Sequence, residues 1–96
     1  MRFKDHIKDS ILYFGKPFEE VHKWLDEYAA PEKLGGRHRK KRHHKKGIDE
    51  ARALFGDEGA KAAERHILID LEEEYLWKPE DGIPEDEEDY NTKGYF

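Results

Sequence analysis

The chain has no cysteine, which excludes disulfides, thiolate catalysis and cysteine-based zinc sites and leaves His, Asp and Glu as the ligands of any metal centre. Ser10 is the one serine and Thr92 the one threonine. A Ser-His-Asp hydrolase would have to draw its nucleophile from the amphipathic N-terminal stretch, which argues against that class. No run of about 18 apolar residues is present, and the opening MRFKDHIKDS lacks the apolar stretch of a secretion signal. A soluble, cytoplasmic protein with no membrane contact is expected. A Gly-rich phosphate loop, an HExxH pair and an EF-hand loop are also missing. Apolar residues are scarce: 35% of 96 residues are hydrophobic and 43% charged, room for the core of one small domain.

Charge is abundant, and it comes in blocks. The formal net charge is -5, yet Arg37 to Lys46 holds seven Lys or Arg and three His with no acid, and ten acids fall between Glu72 and the end of the chain. An acidic end can compete for the basic segment, which weakens a nucleic-acid reading.

Apolar periodicity places four helices. Phe3, Ile7, Ile11 and Phe14 predict a first helix ending at Gly15, and Phe18, Val21, Leu25 and Tyr28 a second running from Pro17 to about Ala30. After a turn at Pro31 and Gly35-Gly36, a third helix is expected from Arg37 through Ile48, Ala51, Leu54 and Phe55, with Gly56 as its cap. Gly47 inside it signals a kink or a close backbone approach. Asp57 opens a fourth, with Ala60, Ala63, Ile67, Leu71 and Tyr75 facing inward. Beyond Trp77, the prolines and the acid run Glu85 to Asp89 read as an irregular tail. The expected fold is therefore all-α: a compact four-helix domain over residues 1–78 with an acidic C-terminal tail, 79–96, docked on the helices or on a second subunit of a homodimer.

Two constellations carry chemistry. His66 and Asp70 stand four residues apart, one helical turn, and can share a metal such as zinc, manganese, nickel or iron. His22, beside the second stripe, and His44, on the third, are the candidates to complete the set. A buried His44 needs a partner: a metal, Asp70, Glu73 or a backbone carbonyl. The second constellation is Arg37, His38, Arg39, Lys40, Lys41, Arg42, His43, Lys45 and Lys46, suited to phosphate oxygens. Its bland alternative is a solvated helix end paired with the acidic tail. Cations at a helix N-terminus oppose the macrodipole, so something must offset them.

The stretches GKPFEEVHKWLD, RHR, RHH followed by GI, and AxxHIxxD (Ala63, His66, Ile67, Asp70) resemble a small family of functionally uncharacterised proteins of prokaryotes and their viruses, over about residues 5 to 70. The resemblance implies a shared motif of His22, Arg37, His38, Arg42, His43, His44, His66 and Asp70, and no activity. More loosely, His and Asp on a helical scaffold are similar to HD-type metal-dependent phosphohydrolases, which carry a His-Asp dipeptide where this chain has His43-His44. The expected function is a divalent-metal-binding domain acting on or binding a phosphorylated or anionic ligand. The alternative is a non-enzymatic regulator that contacts nucleic acid or a protein through residues 37–46.

Overall fold

A computed structural model describes residues 2–27, 39–74 and 77–93, with the backbone alone at 39, 40 and 74, and every regular element among them is helical. Helix α1 (Phe3–Phe14) ends at Gly15 as its sequence predicts, with the Gly15 N–H donating to Ile11 O at 2.9 Å. Of the predicted face, Phe14 packs on the core but Phe3 and Ile11 do not. His6 and Ser10 are each 1% exposed, whereas Phe3 and Ile11 are 37% and 49% exposed. The inward stripe is His6, Ser10 and Phe14, rotated by one residue, about 100°, from the apolar stripe. Hydrogen bonds to groups inside the domain hold it there. A forked pair from Arg65 to Asp9, at 2.7 and 2.9 Å, ties the helix to its neighbour.

Helix α2 (Glu19–Leu25) starts later than Pro17 because Phe18 adopts a left-handed conformation (φ 48°, ψ 41°) as its N-cap. Val21 and Leu25 are buried. Tyr28 and Ala30, the expected end of this helix, and the turn at Pro31 and Gly35-Gly36 lie outside the described residues.

The third predicted helix is interrupted. Helix α3 (Arg39–Arg42) is a single turn, the chain bends at His43-His44, and α4 (Lys45–Glu74) begins there. His44 is the cap: its carbonyl accepts from Ile48 N–H and its Nδ1 from Gly47 N–H, both at 2.9 Å. A Cβ on Gly47 would stand 1.8 Å from Arg42 O, so the close backbone approach expected there is real. Gly56, at φ 82° and ψ -179°, breaks α4 into two arms in a backbone region that is essentially glycine's alone. The arms are the third and fourth helices of the sequence reading, so the four-helix, all-α architecture holds. Ile48, Ala51, Ala60, Ala63, Ile67 and Leu71 are buried as expected. Leu54 is not: at 61% exposure it is turned away, while Ile48, Ala51 and Phe55 keep the inward spacing. Tyr75 lies outside the described residues.

The tail is not irregular. A 3-10 turn at Pro79–Asp81 and helix α5 (Glu87–Lys93) are formed from it. The acid run makes a helix because Asp86 Oδ1 accepts from Asp89 N–H at 3.0 Å and Asp89 Oδ2 from Glu85 N–H at 2.9 Å, with acids at the positive end of the dipole. Tyr90 is fully buried and its hydroxyl donates to His43 O. Lys45 and Lys46 N–H donate to Pro84 O and Glu85 O, at 2.8 and 3.0 Å. These carbonyls satisfy the first N–H groups of α4, while Glu85 on Lys45 and Glu87 on Lys41 offset cations of the basic segment. Among the described residues no helix is long and apolar enough to cross a membrane.

Candidate metal centre

Five histidines are described and all five are buried. Four of them meet where α1, α2, the bend before α4 and the second arm of α4 come together. His66 and Asp70 share one face of α4, as their spacing predicts, and His22 joins them from α2. His44 does not. Its Nε2 donates to Lys41 O at 3.0 Å and its Nδ1 accepts from Gly47 N–H, so both nitrogens serve the backbone. The bend at 43–44 sends His43 inward instead, into the cluster rather than onto an anion-binding surface.

Around His66 Nε2 the spacing is distinctive. Asp26 Oδ1 and Asp70 Oδ2 each lie 3.3 Å from it, and neither contact has hydrogen-bond geometry, so Nε2 is a buried polar atom without a hydrogen-bond partner. His43 closes the ring, with Nδ1 3.4 Å from Asp70 Oδ2 and Nε2 3.4 Å from Asp26 Oδ1. Asp26, His43, His66 and Asp70 thus offer one ligand atom each within 4.8 Å of one another. Tetrahedral bonds of roughly 2.0–2.1 Å would set ligand atoms about 3.3 Å apart, the separation of His66 Nε2 from each carboxylate oxygen; His43, whose Nε2 faces Leu25 O, offers Nδ1, 3.4 Å from Asp70 Oδ2.

A second group, His6, His22 and His66, is equally close but differently built. His22 Nδ1 and His66 Nδ1 are 2.7 Å apart, and the His6 and His66 rings stack at 3.6 Å with 11° between planes. A separation of 2.7 Å is a hydrogen bond, and parallel stacked rings do not converge on one ion. These histidines act as outer partners. His6 Nε2 bonds Asp70 Oδ1 at 3.1 Å, His22 bonds His66, and His22 Nε2 bonds Ser10 Oγ at 2.6 Å. His43 Nε2 donates to Leu25 O at 3.1 Å. Metal ligands are commonly held by such a layer.

The electrostatics follow from burial and from the two carboxylates. Burial first, then the neighbouring rings, pushes His22 down to about 3. Burial pushes His43 down to about 4 against the pull of Asp26 and Asp70. For His66 burial acts downward too, but Asp26 and Asp70 together outweigh it and the net shift is upward. Burial would raise Asp70, yet His6 and His66 hold its carboxyl well below the usual range. Asp26, with a side chain 20% exposed, is where the cluster meets solvent.

The spacing His66–Asp70 is readable in the sequence. His22–Asp26 repeats it at the end of α2, and His6–Ser10 places a third polar pair four apart on α1; Asp26 and His6 are not singled out by sequence because each stands among polar neighbours. Of the basic segment, Arg37 and His38 lie outside the described residues, as do the side chains of Arg39 and Lys40. Lys41 and Lys45 pair with Glu87 and Glu85 at 2.9 and 3.0 Å. Arg42 donates to Trp24 O and to Glu27 and stacks over the Trp24 ring at 4.4 Å. Lys46 is exposed.

No curated protein and no solved structure matches the chain. Residues 1–87 match the family described as a domain of unknown function, DUF6915, and the chain belongs to that family.

Proposed function

We propose that this protein is a divalent-metal-binding helical domain whose ligands are Asp26, His43, His66 and Asp70. The observation that carries the reading is the pair of carboxylate oxygens 3.3 Å from a buried His66 Nε2 that hydrogen-bonds to neither. Two carboxylates drawn in among buried rings are costly unless a positive charge sits between them. A divalent ion supplies that charge in full; in its absence a protonated His66 supplies half of it. A set of two nitrogens and two oxygens, with both oxygens 3.3 Å from His66 Nε2, favours zinc over the manganese, nickel and iron that the residue types also allow.

Three of the four ligands are shut away from solvent, so an anionic or phosphorylated ligand would approach past Asp26. Arg42 would have to exchange its bond to Glu27, the neighbour of Asp26, to meet it. When bound, the metal would supply Lewis acidity toward such a group. The nucleic-acid alternative is disfavoured by the pairing of Lys41 and Lys45 with the chain's own acids.

Elemental analysis of untagged protein, followed by titration of zinc, manganese, nickel and iron into the metal-free form, tests the reading. One equivalent of metal per chain is expected, with zinc bound most tightly. Protein that carries no metal and takes none up would leave the cluster as a buried salt bridge and end the proposal. Metal-loaded protein is then the form to assay on phosphomonoester and phosphodiester substrates.

A further inference from the structure

Resting on that metal reading, we propose that Ser10 and His22 are positioning residues that select which nitrogen of His66 faces the metal. The argument is one of valence. To bind a metal through Nε2, the atom that faces Asp26 and Asp70, His66 needs a lone pair there, so its single N–H must be on Nδ1. Among the described residues the acceptor for that hydrogen is His22 Nδ1, at 2.7 Å. If His22 accepts at Nδ1, its own N–H is on Nε2, and Ser10 Oγ at 2.6 Å receives it. Each hydrogen bond therefore dictates the direction of the next, from the ligand to α1. A helical serine can turn its own hydrogen to the carbonyl one turn back, which leaves Oγ free to accept.

Burial makes the arrangement selective. Ser10, His22 and His66 are each 1% exposed, so no bulk water competes for these positions. That same burial separates Ser10 from any substrate: its place on a histidine imitates a nucleophile's, but its role is to hold a ring. The chain also explains why α1 turns a polar stripe inward. Ser10 receives the hydrogen bond from His22, and His6, one turn earlier on the same stripe, bonds Asp70.

The test is zinc titration of the wild type and three variants, Ser10→Ala, His22→Asn and His22→Leu, with folding checked by circular dichroism. It is paired with nitrogen-15 spectra of the imidazoles in zinc-loaded wild type. Expected results are a proton on His66 Nδ1, a zinc affinity lowered by roughly 10- to 100-fold in His22→Leu, and a smaller loss in Ser10→Ala. His22→Asn should recover most of the affinity, since its amide oxygen takes the place of the Nδ1 acceptor. Unchanged affinity in His22→Leu overturns this inference and leaves the metal site standing, whereas a proton on Nε2 in the loaded protein removes His66 from the ligand set and overturns both. Wild type that takes up no zinc overturns both. Should His22→Leu not fold, Ser10→Ala, His22→Asn and the wild-type spectrum decide the matter.

Discussion

His43 and His44 are neighbours with opposite duties, and substitution separates them. His44→Ala removes the cap of α4 and should lower stability by about 1–2 kcal/mol in urea unfolding while leaving metal content unchanged. His43→Ala should abolish stoichiometric metal, and it should cost stability as well, since the ring is buried and donates to Leu25 O. Asp70→Asn keeps the side chain's shape but loses the charge. It should weaken metal binding by more than the roughly 100-fold that losing an outer partner costs, as read by competition with a chelator. Tyr90→Phe deletes the hydroxyl that donates to His43 O and should cost about 1 kcal/mol of stability. Which of two adjacent histidines would point inward was not legible, because the helix expected through both is broken at that pair. Periodicity assigns faces only while a helix continues.

Among the elements, α1 and the acidic end depart most from their sequence patterns. The apolar residues of α1 obey the helical period, yet the helix is docked by His6, Ser10 and Phe14 because hydrogen bonds inside an enclosed cluster outweigh the orientation that Phe3 and Ile11 would impose. At the acidic end Asp86 and Asp89 stand three apart as helix-capping residues do, but five consecutive acids from Glu85 to Asp89 have the composition of solvated chain. Removing residues 79–96 should therefore destabilise the domain by several kcal/mol rather than merely expose the basic segment. Tyr90 and Pro84 are buried, and the first N–H groups of α4 end on this segment. Thermal unfolding of the truncated chain is the check, and a melting temperature equal to the full chain's would contradict it. Gly56 was legible as a helix boundary, and Gly56→Ala should cost roughly 1–3 kcal/mol in urea, since an L side chain resists φ 82°.

At the scale of the whole molecule, the histidine cluster sets how stability responds to acid. The folded protein keeps His22 neutral to about 3 and His43 to about 4, whereas the unfolded chain protonates both near the ordinary value of 6.5. Between about pH 6.5 and pH 4 the unfolded state binds more protons, so metal-free protein should lose stability steadily as the pH falls. His66 works in the other direction: its raised pKa contributes stability that is complete below the ordinary value and fades as the pH climbs through its folded value. A shallow maximum near neutrality is expected, measured as urea midpoints from about pH 8 to pH 4. Metal should raise those midpoints, and a chelator should reverse the rise.

Taken alone, the sequence determined the class of the molecule: four apolar stripes of helical period, glycines at their breaks, and no cysteine, so that a metal could be held only by imidazole and carboxylate. These are local properties, written in spacing and residue type. The tertiary structure decided what spacing cannot express. It chose His43 over His44, brought Asp26 and His6 to residues 40 and 64 positions away, and set Glu85 and Glu87 on Lys45 and Lys41. Such pairings depend on how helices dock, and docking is settled by burial and by hydrogen bonds that exist only once distant faces have met.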